Sequence, residues 1–165
     1  MIQLFIQKQI MHLKFRKANI NDIDLYFKWI NDSLVREYSF QSNLVDVKSH
    51  NEWFKSKIND SNSFMSVFEN ELNEKVGQVR IDKVDDVNAL ISVSVAKEHR
   101  GKGYASKLIL IYSDYFLKKY KFFCISAYIK QSNLRSKHVF ESAGFEFSKT
   151  TVYKKNKSFL YKKTR

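Results

Sequence analysis

Apolar side chains recur along the chain at two spacings, and these separate strands from helices. Leu13 and Phe15 alternate with Lys14 and Arg16, which predicts a first strand over 12–17. Alternating or β-branched runs predict six further strands, at 64–69, 74–84, 89–95, 122–129, 145–153 and 158–163. Apolar residues three and four positions apart predict helices after Asn21, after Asp46 or Ser49, over 105–116 and over 133–143. Residues 33–45 follow neither spacing and predict a loop.

The predicted order is β-α-α-β-β-β-α-β-α-β-β, which is typical of a mixed α/β fold. The chain of 165 residues contains no internal repeat and no linker, so we expect a single domain over 1–165. Residues 1–11 add little to the hydrophobic pattern, and we interpret them as an N-terminal extension outside the core.

Composition excludes several classes of protein. The one cysteine, Cys124, rules out an internal disulfide and a cysteine-rich zinc site. The four histidines show no metal-ligand spacing, so we expect no metal. The sequence contains no run of 18 apolar residues, which a membrane span would need, and the N-terminal residues do not resemble a signal peptide. We therefore expect a cytoplasmic protein that does not act at a membrane.

The formal net charge is +12, and it is unevenly distributed. Neither residues 1–21 nor residues 147–165 contain an acidic side chain, so the basic excess lies at the two ends. A basic surface favours an anionic partner such as nucleic acid or a phosphate-bearing small molecule. A solvated surface that only aids solubility explains the same charge, and aromatic side chains among the terminal lysines favour a packed hairpin over base stacking.

The segment Arg100-Gly101-Lys102-Gly103 connects the strand that ends at Val95 to a strongly amphipathic helix. Free N–H groups at a helix N-terminus attract phosphate, and glycine lets the backbone approach it closely. Arg100 and Lys102 add positive charge. The segment matches neither the Walker nor the Rossmann pattern, so taken alone it is a weak signal for phosphate binding.

The order of elements and two motifs together resemble the GNAT superfamily of acyl-CoA-dependent N-acyltransferases. Arg100-Gly101-Lys102-Gly103-Tyr104-Ala105 fits the superfamily's acetyl-CoA signature, Q/R-x-x-G-x-G/A. Downstream, Asn133 precedes a helix that ends in Phe140, Gly144 and Phe145, as in the superfamily. The resemblance spans about residues 12–163. It implies a central, mostly antiparallel mixed sheet flanked by helices and splayed between the strands at 89–95 and 122–129.

The resemblance also implies a binding site for acetyl-CoA, used as a co-substrate without a metal. Backbone amides from Arg100 to Ala105 would hold the pyrophosphate, and the strand carrying Val93 and Val95 would pair with pantetheine. The remaining expected contacts come from the helix after the splayed strand, namely Asn133, Ser136 and Phe140. The acceptor amine would attack the thioester directly, without a covalent enzyme intermediate.

The chain departs from the superfamily pattern at Phe140, where a tyrosine usually protonates the leaving thiolate. Phenylalanine cannot donate a proton, so another group, water or an unassisted step must serve. Tyr128, on the adjacent strand, is our candidate for this acid, with Ser126 and Tyr112 as alternatives. His50 is our candidate for the base that deprotonates the acceptor amine, because histidine titrates near neutral pH.

Three runs resemble the GNAT subgroup that acetylates UDP-linked amino sugars, as in pseudaminic-acid synthesis. They are the W-x-N-D-x-x-V-R run over 29–36, His50-x-x-Trp53-Phe54, and Gly77-Gln-Val-Arg-Ile-Asp82. The subgroup suggests Arg36 and Arg80 as ligands of the UDP pyrophosphate and Phe40 and Trp53 as platforms for a ring. Arg80 and Asp82 lie on one face of a strand, so a surface ion pair is the competing interpretation.

Other functions stay open. The nearest enzyme alternatives are acetylation of protein N-termini or ribosomal proteins, and then of aminoglycosides. A module that binds CoA or nucleic acid without catalysis is the alternative from another class, although we consider a nucleic-acid partner less consistent with the motifs. A homodimer is open as well.

Overall fold

A computed structural model describes residues 12–165. The prediction of an N-terminal extension over 1–11 lies outside the described residues. Seven strands form one sheet in the order β1-β2-β3-β4-β5-β7-β6. The strands are β1 (Lys14–Lys17), β2 (Ser63–Glu69), β3 (Lys75–Lys83), β4 (Asn88–Val95), β5 (Cys124–Lys130), β6 (Glu146–Tyr153) and β7 (Asn156–Lys163). All neighbours are antiparallel except β4 and β5, which confirms the predicted mostly antiparallel mixed sheet.

Strands β4 and β5 run in parallel but stay together only at their beginnings. Residues 88–90 of β4 pair with 124–126 of β5, and the ladder then stops although β4 continues to Val95 and β5 to Lys130. The two strands diverge from that point and leave an open wedge in the sheet. This confirms the predicted splay and leaves backbone groups on one edge of β4 available to a ligand.

Five α-helices within residues 12–165 cover the sheet. They are α1 (Ile23–Ile30), α2 (Ser33–Tyr38), α3 (Val47–Asn59), α4 (Tyr104–Lys119) and α5 (Leu134–Ser142). The larger core forms around α4 and α5, with Leu108, Ile109 and Phe116 at 0–2% exposure. A smaller core forms between α1, α3 and β2 and includes Trp29 and Phe54. Each apolar face identified from the spacing therefore meets the sheet.

Helix α2 differs from the prediction of a loop over 33–45. Asp32 begins it by accepting from the backbone N–H groups of Leu34 and Val35, at 3.1 and 3.3 Å. With six residues, α2 is too short to show an apolar period. The start of α1 also differs, because Asn19 caps a short 3-10 turn over Ile20–Asp22 where Asn21 was the expected cap.

The alternation of side chains assigns the two faces of the sheet. In β3, Gly77 faces Leu108 of α4 on one side of the sheet. Arg80 and Asp82 lie on the other side, where they contact Trp53 and Lys57 of α3. Paired residues of neighbouring strands share a face, and Arg80 pairs with Ser92 in β4. Leu90, on the same face as Ser92, pairs with Ser126 in β5, so this second face continues into β5. Tyr128 and Lys130 follow Ser126 on the same face. We call this surface, together with the loop over 39–46 beside it, the acceptor face.

None of the helices described over 12–165 is long and apolar enough to cross a membrane. In the same range, no three His, Cys, Asp or Glu side chains are grouped as a metal site.

Candidate active site

The segment between β4 and α4 forms a glycine turn at an uncapped helix start. After a 3-10 turn over Lys97–His99, Gly101 and Gly103 adopt φ angles of +74° and +77°, which favour glycine. Gly103 begins α4 without any side-chain cap, so the N–H groups of the first turn are open to an anion. Lys102 is exposed beside them, Ala105 is half-buried, and the Tyr104 ring is buried with its edge against His99. The local geometry is that expected of a pyrophosphate loop.

The Arg100 side chain does not contribute its charge to this turn. Its Nε donates to the carbonyl of Val95 at 3.1 Å, and its Nη2 donates to Oδ1 of Asp32 at 2.7 Å. Its backbone N–H is also engaged, at 3.4 Å from the carbonyl of Lys97. The expectation that Arg100 holds phosphate is therefore wrong for the side chain and its amide, and the available amides begin at Gly101.

Burial and the Arg100 bond act on Asp32 in opposite directions. Burial raises the pKa of the Asp32 carboxyl, but the bonds from Arg100 and from the N–H groups of Val35 and Leu34 outweigh it. The net pKa lies below the ordinary value. Asp32 is therefore a charged anchor at neutral pH.

The wedge between β4 and β5 is lined by the residues expected to meet pantetheine. Val93 and Val95 are half-buried on β4 and pack their side chains toward the α4 core. The Val95 carbonyl already accepts from Arg100, so one of its two lone pairs is used. We expect pantetheine to pair with the other open backbone groups of this strand.

Of the three cofactor contacts expected on the α5 side, Asn133 and Phe140 already contact other residues of the protein. Oδ1 of Asn133 caps α5 by accepting from the N–H of Ser136 at 3.0 Å, although the Asn133 amide nitrogen and the Ser136 hydroxyl make no hydrogen bond with the described residues. Phe140 is only 5% exposed and packs edge-on against Phe145 at 5.1 Å. Phe140 is therefore mainly a core residue and not the cofactor contact that we expected.

Arg36 is buried at 8% exposure and serves the loop after α2, not a ligand. Its guanidinium donates to the carbonyls of Gln41 and Asn43 at 3.0 and 3.1 Å and to Oγ of Ser39 at 2.9 Å. Burial lowers the pKa of the Arg36 guanidinium. The expectation that Arg36 binds a UDP phosphate is wrong, because its hydrogen-bonding groups already face the chain.

His50 is likewise a structural residue. It is 1% exposed, and its Nε2 lies 2.8 Å from the carbonyl of Ile23. The rings of Phe27, Trp53 and Phe54 surround it at 5.2–5.9 Å. A base must reach its substrate directly or through one water, so the assignment of His50 as catalytic base is wrong, and the histidine instead fastens α3 to α1.

Trp53 and Arg80 do lie together on the acceptor face. The Arg80 guanidinium carbon sits 5.0 Å from the centroid of the Trp53 ring, and Nε donates to Oδ2 of Asp82 at 2.7 Å. The ion pair that was the competing interpretation is therefore present. Arg80 keeps 23% of its side chain exposed, and its terminal nitrogens donate to no other group within the described part of the chain. Its two terminal NH2 groups, with four N–H donors in all, can still serve a ligand.

Asp82 accepts three hydrogen bonds from its neighbours, which makes it a poor candidate for a base. Its Oδ1 also accepts from Lys57 at 3.2 Å and from Ser63 at 2.8 Å. Burial raises the pKa of Asp82, but the charges of Arg80 and Lys57 and the Ser63 bond together bring it below its ordinary value. The carboxylate therefore positions Arg80 and stays ionised.

Three aromatic rings line the far side of the acceptor face. Tyr128 stacks on Tyr153 with centroids 3.9 Å apart and planes 8° apart, and Phe40 meets Tyr153 edge-on at 4.8 Å. Tyr128 is half-buried, and its hydroxyl bonds to no other described group. Sequence reasoning placed Phe40 and Tyr128 here but did not assign Tyr153, whose position at the end of β6 was the available signal.

The comparisons with known proteins agree with this geometry. Residues 12–146 match the family described as Acetyltransferase (GNAT) domain. The fold is similar to spermidine N-acetyltransferase from Vibrio cholerae in complex with CoA and spermine, with a TM-score of 0.79, 20% identity, and 91% and 92% of the two chains covered. It is also similar to the aminoglycoside acetyltransferase AAC(6')-Ib with CoA and kanamycin, with a TM-score of 0.81, 18% identity, and 93% and 95% coverage.

A sequence relative extends the comparison. An uncharacterized protein of Methanocaldococcus jannaschii is 26% identical over 140 residues, which cover 81% of this chain and 28% of that protein. The chain thus spans less than a third of that relative's length. Solved structures at 18–20% identity establish the fold alone, whereas the family match covers most of the chain. The chain therefore belongs to the acetyltransferase (GNAT) domain family.

Proposed function

We propose that this chain transfers the acetyl group of acetyl-CoA to the primary amine of an anionic acceptor, and that the acceptor is an amino sugar linked to UDP. The pyrophosphate of CoA would lie on the amides from Gly101 to Ala105, and pantetheine would enter the wedge between β4 and β5. This arrangement brings the thioester to the end of the β4–β5 ladder, beside Tyr128. The acceptor would approach from the acceptor face.

The chemistry we propose is direct attack within a ternary complex. The amine nitrogen forms a bond to the thioester carbonyl carbon, and the carbon–sulfur bond breaks as the tetrahedral intermediate collapses. The amine proton passes to water on the acceptor face, because the Asp82 carboxylate is held by three donors and His50 is buried. The Tyr128 hydroxyl is our proposed donor to the departing thiolate. Tyr128 would thus donate the proton that Phe140 cannot donate.

The observation that most supports an anionic acceptor is the turn between β6 and β7. Lys154 and Lys155 occupy its two central positions with φ angles of +44° and +65°, where asparagine and glycine are the favoured residues. Each non-glycine residue in the left-handed region costs about 1–2 kcal/mol. Strain of this kind is typical of functional segments, and here it presents two exposed ammonium groups beside Tyr153.

The charges on the acceptor face favour an acceptor that carries phosphates over an acceptor that is a polycation. Lys130 and Arg80 both lie on the acceptor face, and Lys154 lies 5.6 Å from the Tyr153 ring centroid. A polyamine or an aminoglycoside would meet repulsion from Lys130 and Lys154, which form no ion pair within the described residues, whereas Asp82 balances the charge of Arg80. A UDP pyrophosphate would gain charge-assisted hydrogen bonds from them, and the stacked tyrosines offer a surface to the uracil or the sugar ring.

The experiment compares charge-reversed variants in a CoA thiol-release assay with a UDP-4-amino sugar. Lys154→Glu with Lys155→Glu is expected to raise the KM for the sugar at least about tenfold, since two phosphate contacts are replaced by repulsion. The KM for acetyl-CoA should change less than about twofold. The matched control, Lys118→Glu with Lys119→Glu at the end of α4, should change neither. An unchanged sugar KM in the hairpin variant would contradict the anionic acceptor.

A further inference from the structure

One side chain joins the two halves of the site. Arg100 follows β4 at the start of the pyrophosphate turn, yet its guanidinium reaches across to Asp32 at the start of α2. The second bond of the same guanidinium, to the Val95 carbonyl, fixes its position against the end of β4. The two charged side chains are 19% and 16% exposed, so solvent screens the pair less than it would a surface pair.

From Asp32 the contacts continue into the loop over 39–46. Asp32 caps α2, and Arg36 in that helix donates to the carbonyls of Gln41 and Asn43. Asn31, just before the cap, exchanges two hydrogen bonds with the backbone of Val45, at 2.8 and 2.9 Å. The polar residues of the 29–36 run therefore hold the loop in one conformation.

That loop forms one wall of the acceptor face. Phe40, within it, packs edge-on against Tyr153, and the carbonyl of Glu37 at the end of α2 accepts from Lys130 of β5 at 3.1 Å. The contacts run without interruption from the pyrophosphate turn to the aromatic stack. A shift of α2 would move Phe40 away from the ring that it packs against.

We infer that Arg100 is a positioning residue that couples occupancy of the pyrophosphate turn to the order of the acceptor loop. This inference rests on the proposed function, since it assumes that CoA binds at Gly101–Ala105. A ligand that fixes the turn also fixes the backbone of Arg100, and through Asp32 it restrains α2 and the loop over 39–46. Coupling of this kind is reciprocal, so an acceptor held by the loop strengthens CoA binding by the same factor.

Hydrogen–deuterium exchange of the full chain, with and without CoA, tests the coupling. In the unmodified protein CoA should slow amide exchange in two segments, the turn and first helical residues over 101–107 and the α2 region over 33–43. The difference caused by CoA is the readout, because a purely structural bond would change basal exchange alone. We expect slowing of at least about fivefold in the second segment.

Asp32→Asn separates coupling from capping. Asparagine is as good an N-cap as aspartate, so α2 should still form, but the charged partner of Arg100 is lost. CoA should still protect 101–107 and should lose its effect on 33–43. Asp85→Asn is the control, because Asp85 accepts from the backbone N–H groups of Val87 and Asn88 with no arginine partner, and it should behave as the unmodified protein does.

The outcomes distinguish the two claims. Protection of 101–107 without protection of 33–43 in the unmodified protein would overturn the coupling alone. Equal protection of 33–43 in Asp32→Asn and in the unmodified protein would overturn it as well. No protection of 101–107 at all would overturn the proposed function and the inference with it. If Asp32→Asn fails to fold, Arg100→Gln removes the ion pair from the other side and is expected to give the same loss.

Discussion

The phenol rings of Tyr128 and Tyr153 lie parallel, with their centroids 3.9 Å apart and their planes 8° apart. One ring belongs to the splayed strand β5, and the other belongs to the last residue of β6 before the lysine turn. The stack therefore joins the place where the thioester is expected to the place where the acceptor is expected to bind. Its two hydroxyl groups are chemically alike but are predicted to differ in function.

Tyr128→Phe removes the proposed acid while keeping the stacked ring. The expected result is a fall in kcat of about 10²-fold, within the usual range for losing a general acid, with the melting temperature unchanged within about 2 °C. Steady-state kinetics and thermal unfolding measure the two quantities. Tyr153→Phe is the matched control and should retain both, so equal kcat values for the two variants would remove Tyr128 from the mechanism.

Gly103→Asp tests the pyrophosphate turn. A carboxylate at the uncapped start of α4 repels phosphate, so CoA affinity measured by calorimetry should fall at least about tenfold. Aspartate is also a good N-cap, which partly offsets the strain of its positive φ, and the free energy of unfolding should change by no more than about 1 kcal/mol. Gly144→Ala imposes similar strain at φ +81° after α5 and should leave CoA affinity unaltered. Undiminished CoA binding by the aspartate variant would refute the role of the turn.

His50→Ala should affect stability and not the pH dependence of catalysis. The substitution leaves a cavity among Phe27, Trp53 and Phe54 and an unpaired carbonyl at Ile23. We expect a loss of about 2–4 kcal/mol in the free energy of unfolding, measured with urea. Glu52→Ala, an exposed change in the same helix, should cost less than about 0.5 kcal/mol. A shifted pH–rate profile in the histidine variant would restore His50 as the base.

The Arg16–Asp22 pair makes stability depend on pH. Both guanidinium bonds measure 2.7 Å, and Asp22 is 3% exposed. Burial raises the pKa of Asp22, but the Arg16 bonds and the N–H of Asn19 outweigh it, so the folded pKa lies below its ordinary value. The stabilisation is therefore complete above the ordinary aspartate pKa of about 4 and is lost as the pH falls through the lower, folded pKa.

Asp22→Asn should lower the free energy of unfolding by about 1.5–3 kcal/mol at pH 7. The difference from the unmodified protein should shrink as the pH falls from about 4 through the lower, folded pKa of Asp22, because the aspartate then becomes uncharged as well. Glu98→Gln is the control, because its pair with Lys28 is exposed on both sides, and exposed pairs contribute little to stability. A deficit in Asp22→Asn that stayed constant down to pH 2 would show that the charge is not responsible.

Most of the fold could be predicted because its signals are local. Helix α4, from Tyr104 to Lys119, follows a long apolar period, and the strands alternate or are rich in β-branched residues. Helix α2 could not be predicted, because six residues carry no period and its stability depends on Asp32, whose partner Arg100 lies 68 residues away. The pairing that holds α2 is a property of the folded chain.

The candidate site divides in the same way. The glycine turn could be predicted, because positive φ and an uncapped helix start depend only on neighbouring residues. Arg36 and His50 could not be assigned, because a buried structural role and an exposed catalytic role use the same residue types. Only the packing of α1, α2 and α3 decides between them, and it turns both side chains inward. Arg36 and His50, which belong to the runs that resemble a sugar-nucleotide subgroup, therefore have structural roles.

The most direct test of the account is the initial rate of CoA thiol release with acetyl-CoA and a UDP-4-amino sugar as varied substrates. Mass spectrometry locates the transferred acetyl group. We predict saturation by both substrates, intersecting double-reciprocal lines that indicate a ternary complex, and acetylation of the sugar amine. Turnover of spermidine, an aminoglycoside or a peptide N-terminus, with no turnover of the nucleotide sugar, would contradict the account.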